Sequence, residues 1–302
     1  MRVKFRLFIL ISAIVWLSFC LPHAERVRAM PFYDLDPQKI VLRAEFSTDY
    51  SRSSEERKHN IALAVKALDG TFIDVGGEFS FNRTVGERSE KRGYKPAKII
   101  TKGKFTEGVG GGVCQVSTTL YNALLLADIP VTEFHPHSLT VSYIEPSFDA
   151  MVSFGFADLR AVNRTHNPVI VYAAADGERI TVRVYGEPMR IKVIRKSVVT
   201  GEIPLPADEE IVDTDGEYPD LKFGEKLIVG YGKKGLRSEG FLIKSKNGKV
   251  IENRKIRKDA YAPIPRTFVI GTDGREETES FLFDRARYEN VLTNGVFCDN
   301  IT

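Results

Sequence analysis

The chain has 302 residues, a formal net charge of +3 and a sequence pI of about 8.6. Hydrophobic residues make up 43% and charged residues 27%, which suits one large or two modest globular units with buried cores. The charge is too mild for a nucleic-acid binder, and three cysteines are too few for a disulfide scaffold.

The first residues read as an export address. Arg2, Lys4 and Arg6 precede an apolar run of 15 residues, Leu7 to Leu21. That is the form of a signal peptide, or of a short N-terminal membrane anchor, over residues 1–24. The protein is therefore expected outside the cytoplasm, at the cell wall or the outer face of the cytoplasmic membrane. Cys20 falls in this segment. Cys114 and Cys298 are expected as free thiols.

Residues 25–50 read as an extended lead-in. Ser53 and Glu56 have the spacing of a capping box, and Ile61, Val65 and Leu68 follow on one face of a helix that stops near Gly70. Thr71 to Val75 and Glu78 to Asn82 read as strands around the Gly76-Gly77 turn. Gly108-Val109-Gly110-Gly111-Gly112-Val113-Cys114 is the most unusual local composition of the chain. Four glycines in five residues disfavour helix and admit positive φ. A helix follows at once, with Val116, Leu120, Ala123, Leu124 and Ala127 on one face and Pro130 beyond its end. Cys114 thus falls at a helix start. Alternation predicts strands at Leu139-Val141-Tyr143 and at Val152-Phe154-Phe156, with further strands at Val169–Tyr172 and Ile180–Tyr185.

Composition changes near residue 188. Glu202 to Asp220 holds eight acidic residues and no basic ones, and Lys233 to Lys258 holds ten basic against two acidic. Short apolar runs between glycine turns predict an all-β module over residues 189–272, with a tail at 273–302. The fold class expected is α+β, an antiparallel sheet with packed helices over residues 25–188, followed by this small all-β module.

Three features point to Cys114 as a nucleophile. A helix start stabilises a thiolate, and a glycine loop at Gly110, Gly111 and Gly112 directs backbone N–H groups at an oxyanion. Two histidines, His135 and His137, follow downstream. They also leave open a metal reading, with Cys114 as third ligand.

The blocks Gly77-Glu78-Phe79-Ser80-Phe81-Asn82, Gly93-Tyr94, Gly110 to Ala123, and His137-Ser138 followed by Asp149-Ala150 resemble the VanW-like family over residues 47–187. Residues 190–272 resemble the G-five module, through Glu202-Ile203-Pro204 and Gly230-Tyr231-Gly232. Some VanW-like domains are regarded as L,D-transpeptidases that cross-link peptidoglycan through a cysteine. The resemblance implies that Cys114 is that cysteine, His137 the histidine and Asp149 the aspartate, with Gln115 next to the glycine loop in the substrate-facing motif. Ser147 stands where a glycine is frequent. On this basis a cysteine acyltransferase acting on peptidoglycan stem peptides is expected, with no metal or other cofactor. The alternative is a non-catalytic wall-binding or glycopeptide-resistance accessory protein. In that case the basic run 233–258 would meet anionic wall polymer or lipid headgroups.

Overall fold

The structure, a computed structural model, describes residues 40–101 and 103–272. The expected export segment, Cys20, the tail 273–302 and Cys298 lie outside the described residues. Among the described residues, no helix is long and apolar enough to cross a membrane.

The lead-in contains strand β1 (Val41–Asp49). Helix α1 (Glu55–Leu68) starts one residue later than expected. Its N-cap is Ser54, whose side chain accepts from the Arg57 N–H, and Ser53 Oγ instead takes Arg57 Nε at 3.2 Å. Ile61, Val65 and Leu68 are buried, as the helical spacing requires. Strands β2 (Thr71–Ile73) and β3 (Glu78–Ser80) follow. β3 is cut short because Ser80 caps a small helix, α2 (Phe81–Val85), through the Arg83 N–H. Strands β4 (Pro96–Thr101) and β5 (Lys104–Val109) form a hairpin that feeds the glycine loop, and α3 (Val113–Leu126) begins immediately after it.

Strands β6 (Val131–Glu133), β7 (Arg160–Val162), β8 (Val169–Ala175) and β9 (Arg179–Gly186) complete the first unit. Its main sheet has the order β1-β9-β8-β2, and a smaller one has the order β3-β7-β6. In β9, Ile180, Val182 and Val184 turn inward while the alternate residues face outward. α3 packs on β1 and β9, and α1 packs on β8 and α3. Nearly every residue of α3 is buried, including Ser117, Thr118, Thr119 and Asn122.

The second unit comprises β10 (Lys192–Ile203), β11 (Glu209–Val212), β12 (Lys226–Lys233), β13 (Gly235–Lys246), β14 (Lys249–Tyr261) and β15 (Ile264–Ile270). They form two three-stranded sheets, β10-β13-β14 and β11-β15-β12. All pairings are antiparallel except β11 with β15.

The expected α+β class, with helices packed on an antiparallel sheet, is corrected by this architecture. The described residues are 46% strand and 16% helix, with three helices, and the chain is mostly β. The helical signals came from two 14-residue segments, whereas the strand content is divided among five sheets, several of them too short to show a period. Two expected strands are also absent. Residues 139–143 and 152–156 are irregular apart from one bridge, Ser153 to Ala157. Phe154 and Phe156 are exposed, so the alternation there marks no buried face.

Charge in the second unit is largely self-compensated. Glu202 pairs with Lys234, Asp208 with Arg266 and Glu210 with Lys226. Within the basic run, Lys244 pairs with Asp128 and Glu252, Arg254 with Glu252, Lys255 with Glu239 and Arg257 with Asp259. Half of the ten basic residues are thus neutralised locally, which weakens the run as a docking face for an anionic polymer.

Candidate active site

The glycine loop earns its composition at two kinds of position. Gly110 and Gly112 have φ of +86° and +109°, which side chains rarely adopt. Gly111 lies against the hairpin, where a Cβ would come within 2.8 Å of the Ala97 and Lys98 backbone. Cys114, half-buried and free, is the second residue of α3. The loop's N–H groups are partly committed: Gly110 donates to Lys95 O and Val113 to Gly110 O.

One stripe of α3 positions everything else. Cys114, Thr118 and Asn122 recur at i, i+4 and i+8, on a single helix face. Residues 148–152 lie along this stripe and bond to its side chains rather than to a neighbouring strand. The Val152 N–H donates to Cys114 Sγ at 3.5 Å, and the Ala150 N–H donates to Thr118 Oγ1 at 2.9 Å. Asn122 Nδ2 donates to Phe148 O at 2.8 Å, and Ser117 Oγ donates to Ala150 O at 2.6 Å. Asp149 is thereby held beside the helix that carries Cys114. Thr118→Val, which keeps the shape and deletes the acceptor, should leave the Ala150 N–H unsatisfied. It should cost about 1–3 kcal/mol in a denaturant melt.

His137 and Asp149 meet in this pocket, 6% and 1% exposed. Asp149 Oδ2 accepts from the His137 backbone N–H at 2.6 Å and bonds His137 Nδ1 at 2.8 Å. The ring is left with Nε2 for the thiol. Burial pushes the Cys114 thiol up. The hydrogen bond and charge of His137, the Val152 N–H and the charge of Arg88 outweigh it, so the thiol sits below its ordinary range. Burial opposes the imidazolium, but Asp149 and Cys114 raise His137 to about 9. Both shifts favour a thiolate–imidazolium pair, with the imidazolium keeping its proton up to about pH 9. Alkylation of Cys114 by iodoacetamide should begin below the pH of about 8.5 where free thiols titrate, with a second inflection near 9 as the imidazolium loses its proton. A single inflection at the ordinary thiol value would contradict the pair.

The far side of Asp149 belongs to the second unit. On β14, Arg257, Asp259 and Tyr261 alternate onto one buried face. Tyr261 Oη donates to Asp149 Oδ1 at 2.6 Å and accepts the Ser147 N–H at 2.7 Å. Arg257 donates through Nη1 to Asp149 O at 2.6 Å and through Nη2 to Asp149 Oδ1 at 3.2 Å. The same guanidinium grips Asp259 through Nε at 2.7 Å and Nη2 at 3.1 Å. Burial opposes the Asp149 charge, yet the hydrogen bond from His137 and the charge of Arg257 hold its carboxyl below the usual range. Ser147 has φ of +66° and bonds Ser238 Oγ, and Gly240 leaves the room in which this turn docks.

Residues 56–185 match the family model described as VanW like protein. This chain carries a VanW-like domain. YoaR of Bacillus subtilis (strain 168) is 38% identical over 152 residues, half of each chain. The vancomycin B-type resistance protein VanW of Enterococcus faecalis (strain ATCC 700802 / V583) is 30% identical over 139 residues, 44% of this chain and 50% of that protein. The chain thus spans about half the length of these curated relatives. Two solved G5 domains are similar over 28% of the chain: HP0197-G5, at 18% identity and a TM-score of 0.15, and the IgA1 protease G5 domain, at 21% and 0.18. They are covered over 100% and 94% of their own lengths.

Within the VanW-like domain, the structure brings Cys114, His137 and Asp149 together. Gln115 is placed differently from a substrate-facing residue. It is buried, its Oε1 accepts from Arg57 Nη2 at 2.7 Å, and its Nε2 donates to Asp49 O at 2.7 Å and Thr48 Oγ1 at 3.2 Å. His135 bonds Glu133 at 3.0 Å instead of joining Cys114 and His137, and no group of three or more His, Cys, Asp or Glu among the described residues could hold a metal. Sequence reasoning missed Arg57, Arg88, Tyr143, Arg257 and Tyr261. Of these, Arg257 and Tyr261 carried a readable signal: with Asp259 they form a polar i, i+2, i+4 set that a strand can bury only when each member is paired. Tyr143 is raised above its ordinary value by burial and by the neighbouring Cys114 and Asp149 charges, so it stays a neutral hydroxyl near the thiol.

Proposed function

We propose that the protein is a cysteine-dependent acyltransferase of L,D-transpeptidase type, working outside the cytoplasmic membrane on peptidoglycan stem peptides. The observation that carries this reading is the thiol of Cys114 at a helix start, depressed by an imidazole that is itself fixed by a buried carboxylate. The VanW-like domain and the relative named for vancomycin resistance support a cell-wall setting. Residues 25–188 would form the domain that carries the nucleophile, and residues 189–272 a module that completes its support.

The thiolate attacks the carbonyl between the third and fourth residues of a stem peptide. The oxyanion faces the N–H groups at the start of α3. His137 gives its proton to the departing amine, the terminal D-amino acid leaves, and a thioester remains on Cys114. An amine from a neighbouring stem then attacks the thioester and returns a proton to His137, regenerating the thiolate. Asp149 keeps the ring in one tautomer and stabilises its charged form. Water in place of the amine gives a carboxypeptidase.

Incubation with purified tetrapeptide muropeptides, read by mass spectrometry, tests the reading. Released terminal amino acid with cross-linked dimers supports transpeptidation. Intact tetrapeptide at all times contradicts it.

A further inference from the structure

Two arginines flank the glycine loop, and neither bonds His137 or Asp149. Arg57, from α1, packs along Gly112, where a Cβ would lie 3.1 Å from its Cγ. Arg88 packs along Gly110, where a Cβ would lie 2.8 Å from its own Cβ. The two side chains therefore lie against either end of the turn that leads into Cys114.

Both are aimed by neutral partners. Arg57 bonds Ser53 Oγ through Nε and Gln115 Oε1 through Nη2, and Gln115 is pinned in turn by Asp49 O and Thr48 Oγ1. Arg88 Nη1 bonds Asn82 Oδ1 at 2.7 Å and Gly86 O at 2.9 Å, and Asn82 is held by Ala157 O and Ser153 O. Neither guanidinium forms an ion pair among the described residues. The carboxylate that bears on Arg88, Asp158, is already taken by Ser80 Oγ, the Asn82 and Leu159 N–H groups and Arg160. Each arginine is half-buried and loses hydration, which costs free energy unless an anion compensates. Guanidinium forks match carboxylates in plane and spacing.

We infer that Arg57 and Arg88 form a carboxylate subsite beside Cys114, which selects acyl donors bearing a free carboxylate next to the scissile bond. The anion of choice is the terminal carboxylate of the departing residue. This rests on Cys114 being the acyl acceptor, and it adds the residues that hold the donor's terminal carboxylate.

The test needs no turnover. Rates of Cys114 alkylation by anionic iodoacetate and neutral iodoacetamide are compared, with Cys114 followed by peptide mass. A group that only stabilises the thiolate changes both rates alike, whereas a carboxylate subsite favours iodoacetate alone. The iodoacetate-to-iodoacetamide ratio should be well above that of Cys114 in the urea-unfolded protein. It should fall about 10-fold or more in the double variant Arg57→Gln, Arg88→Gln, since a charged hydrogen bond is worth about 1.5–3 kcal/mol. An unchanged ratio overturns the subsite. If the double variant fails to fold, a wild-type ratio no higher than the unfolded reference overturns it equally. On muropeptides, amidating the terminal carboxylate should raise KM. If only amidation of a side-chain carboxylate does so, the terminal assignment is overturned. Should muropeptide processing be absent while the ratio holds, the acyl-donor reading falls and the anion subsite stands.

Discussion

Arg257→Met is expected to lower stability by about 3–5 kcal/mol, the range for removing one partner of a buried ion pair. The guanidinium is almost fully buried between Asp149 and Asp259; without it Asp259 loses its ion-pair partner and Asp149 keeps only His137 and Tyr261. The pH dependence has a definite sign. Asp149 titrates below its ordinary value in the folded protein, so its contribution is present above about pH 3.9 and is lost as pH falls through the folded value. Without Arg257 that depression shrinks, and acid unfolding should move to higher pH. The thiol should also slow, because a less firmly charged Asp149 holds the imidazolium less well. Asp259→Leu added to Arg257→Met should recover part of the loss, since the charge left without its partner is gone. Denaturant melts across pH check the loss, the acid shift and the recovery, and iodoacetamide kinetics check the thiol. A loss under about 1 kcal/mol, typical of exposed pairs, would contradict the brace.

The second large effect concerns turnover. Cys114→Ala and His137→Ala should each reduce stem-peptide processing by about 10⁴-fold or more, because the groups act as a unit. Asp149→Asn should be nearly as damaging here. Asp149 Oδ2 accepts two N–H groups from His137, while Oδ1 accepts from Tyr261 and Arg257. An amide has a single oxygen, so whichever way it turns, its NH₂ faces donors. Steady-state rates with folding checked by thermal melt decide this. Retained activity in Asp149→Asn would make the carboxylate structural only.

What could be read in the sequence was local. The glycine loop, the helix behind it and the apolar faces of α1 and α3 are set by residues within a few positions of each other, and periodicity exposes them. The polar stripe of Cys114, Thr118 and Asn122 was equally periodic, yet its use depends on a segment some thirty residues away that docks on it. Leu139 to Tyr143 misled for the same reason. Their alternation has no ladder behind it: residues 139–143 pair with no strand, and Ser138 just before them is held by the Ala262 N–H of the second unit. The brace from Arg257 and Tyr261 lies more than a hundred residues from Asp149, and no pattern near Asp149 announces it. The overall class was misjudged because two strong helical periods outweighed many short strands.

Support from the second unit also alters how the site is divided. β9 ends at Gly186 and β10 begins at Lys192, so a boundary near residue 188 falls between strands. Cutting there would remove every partner of Asp149 Oδ1 and the acceptor of the Ser147 N–H. The module is therefore part of the site's support rather than a detached appendage.

The most direct test of the central claim is intact-mass spectrometry of the protein quenched in acid during incubation with a tetrapeptide stem. The account predicts a tripeptidyl adduct on the wild type, mapped to Cys114 by digestion, labile to hydroxylamine as a thioester is, and absent from Cys114→Ala. Release of the terminal amino acid with no adduct on the wild type, and at the same rate from Cys114→Ala, would contradict it.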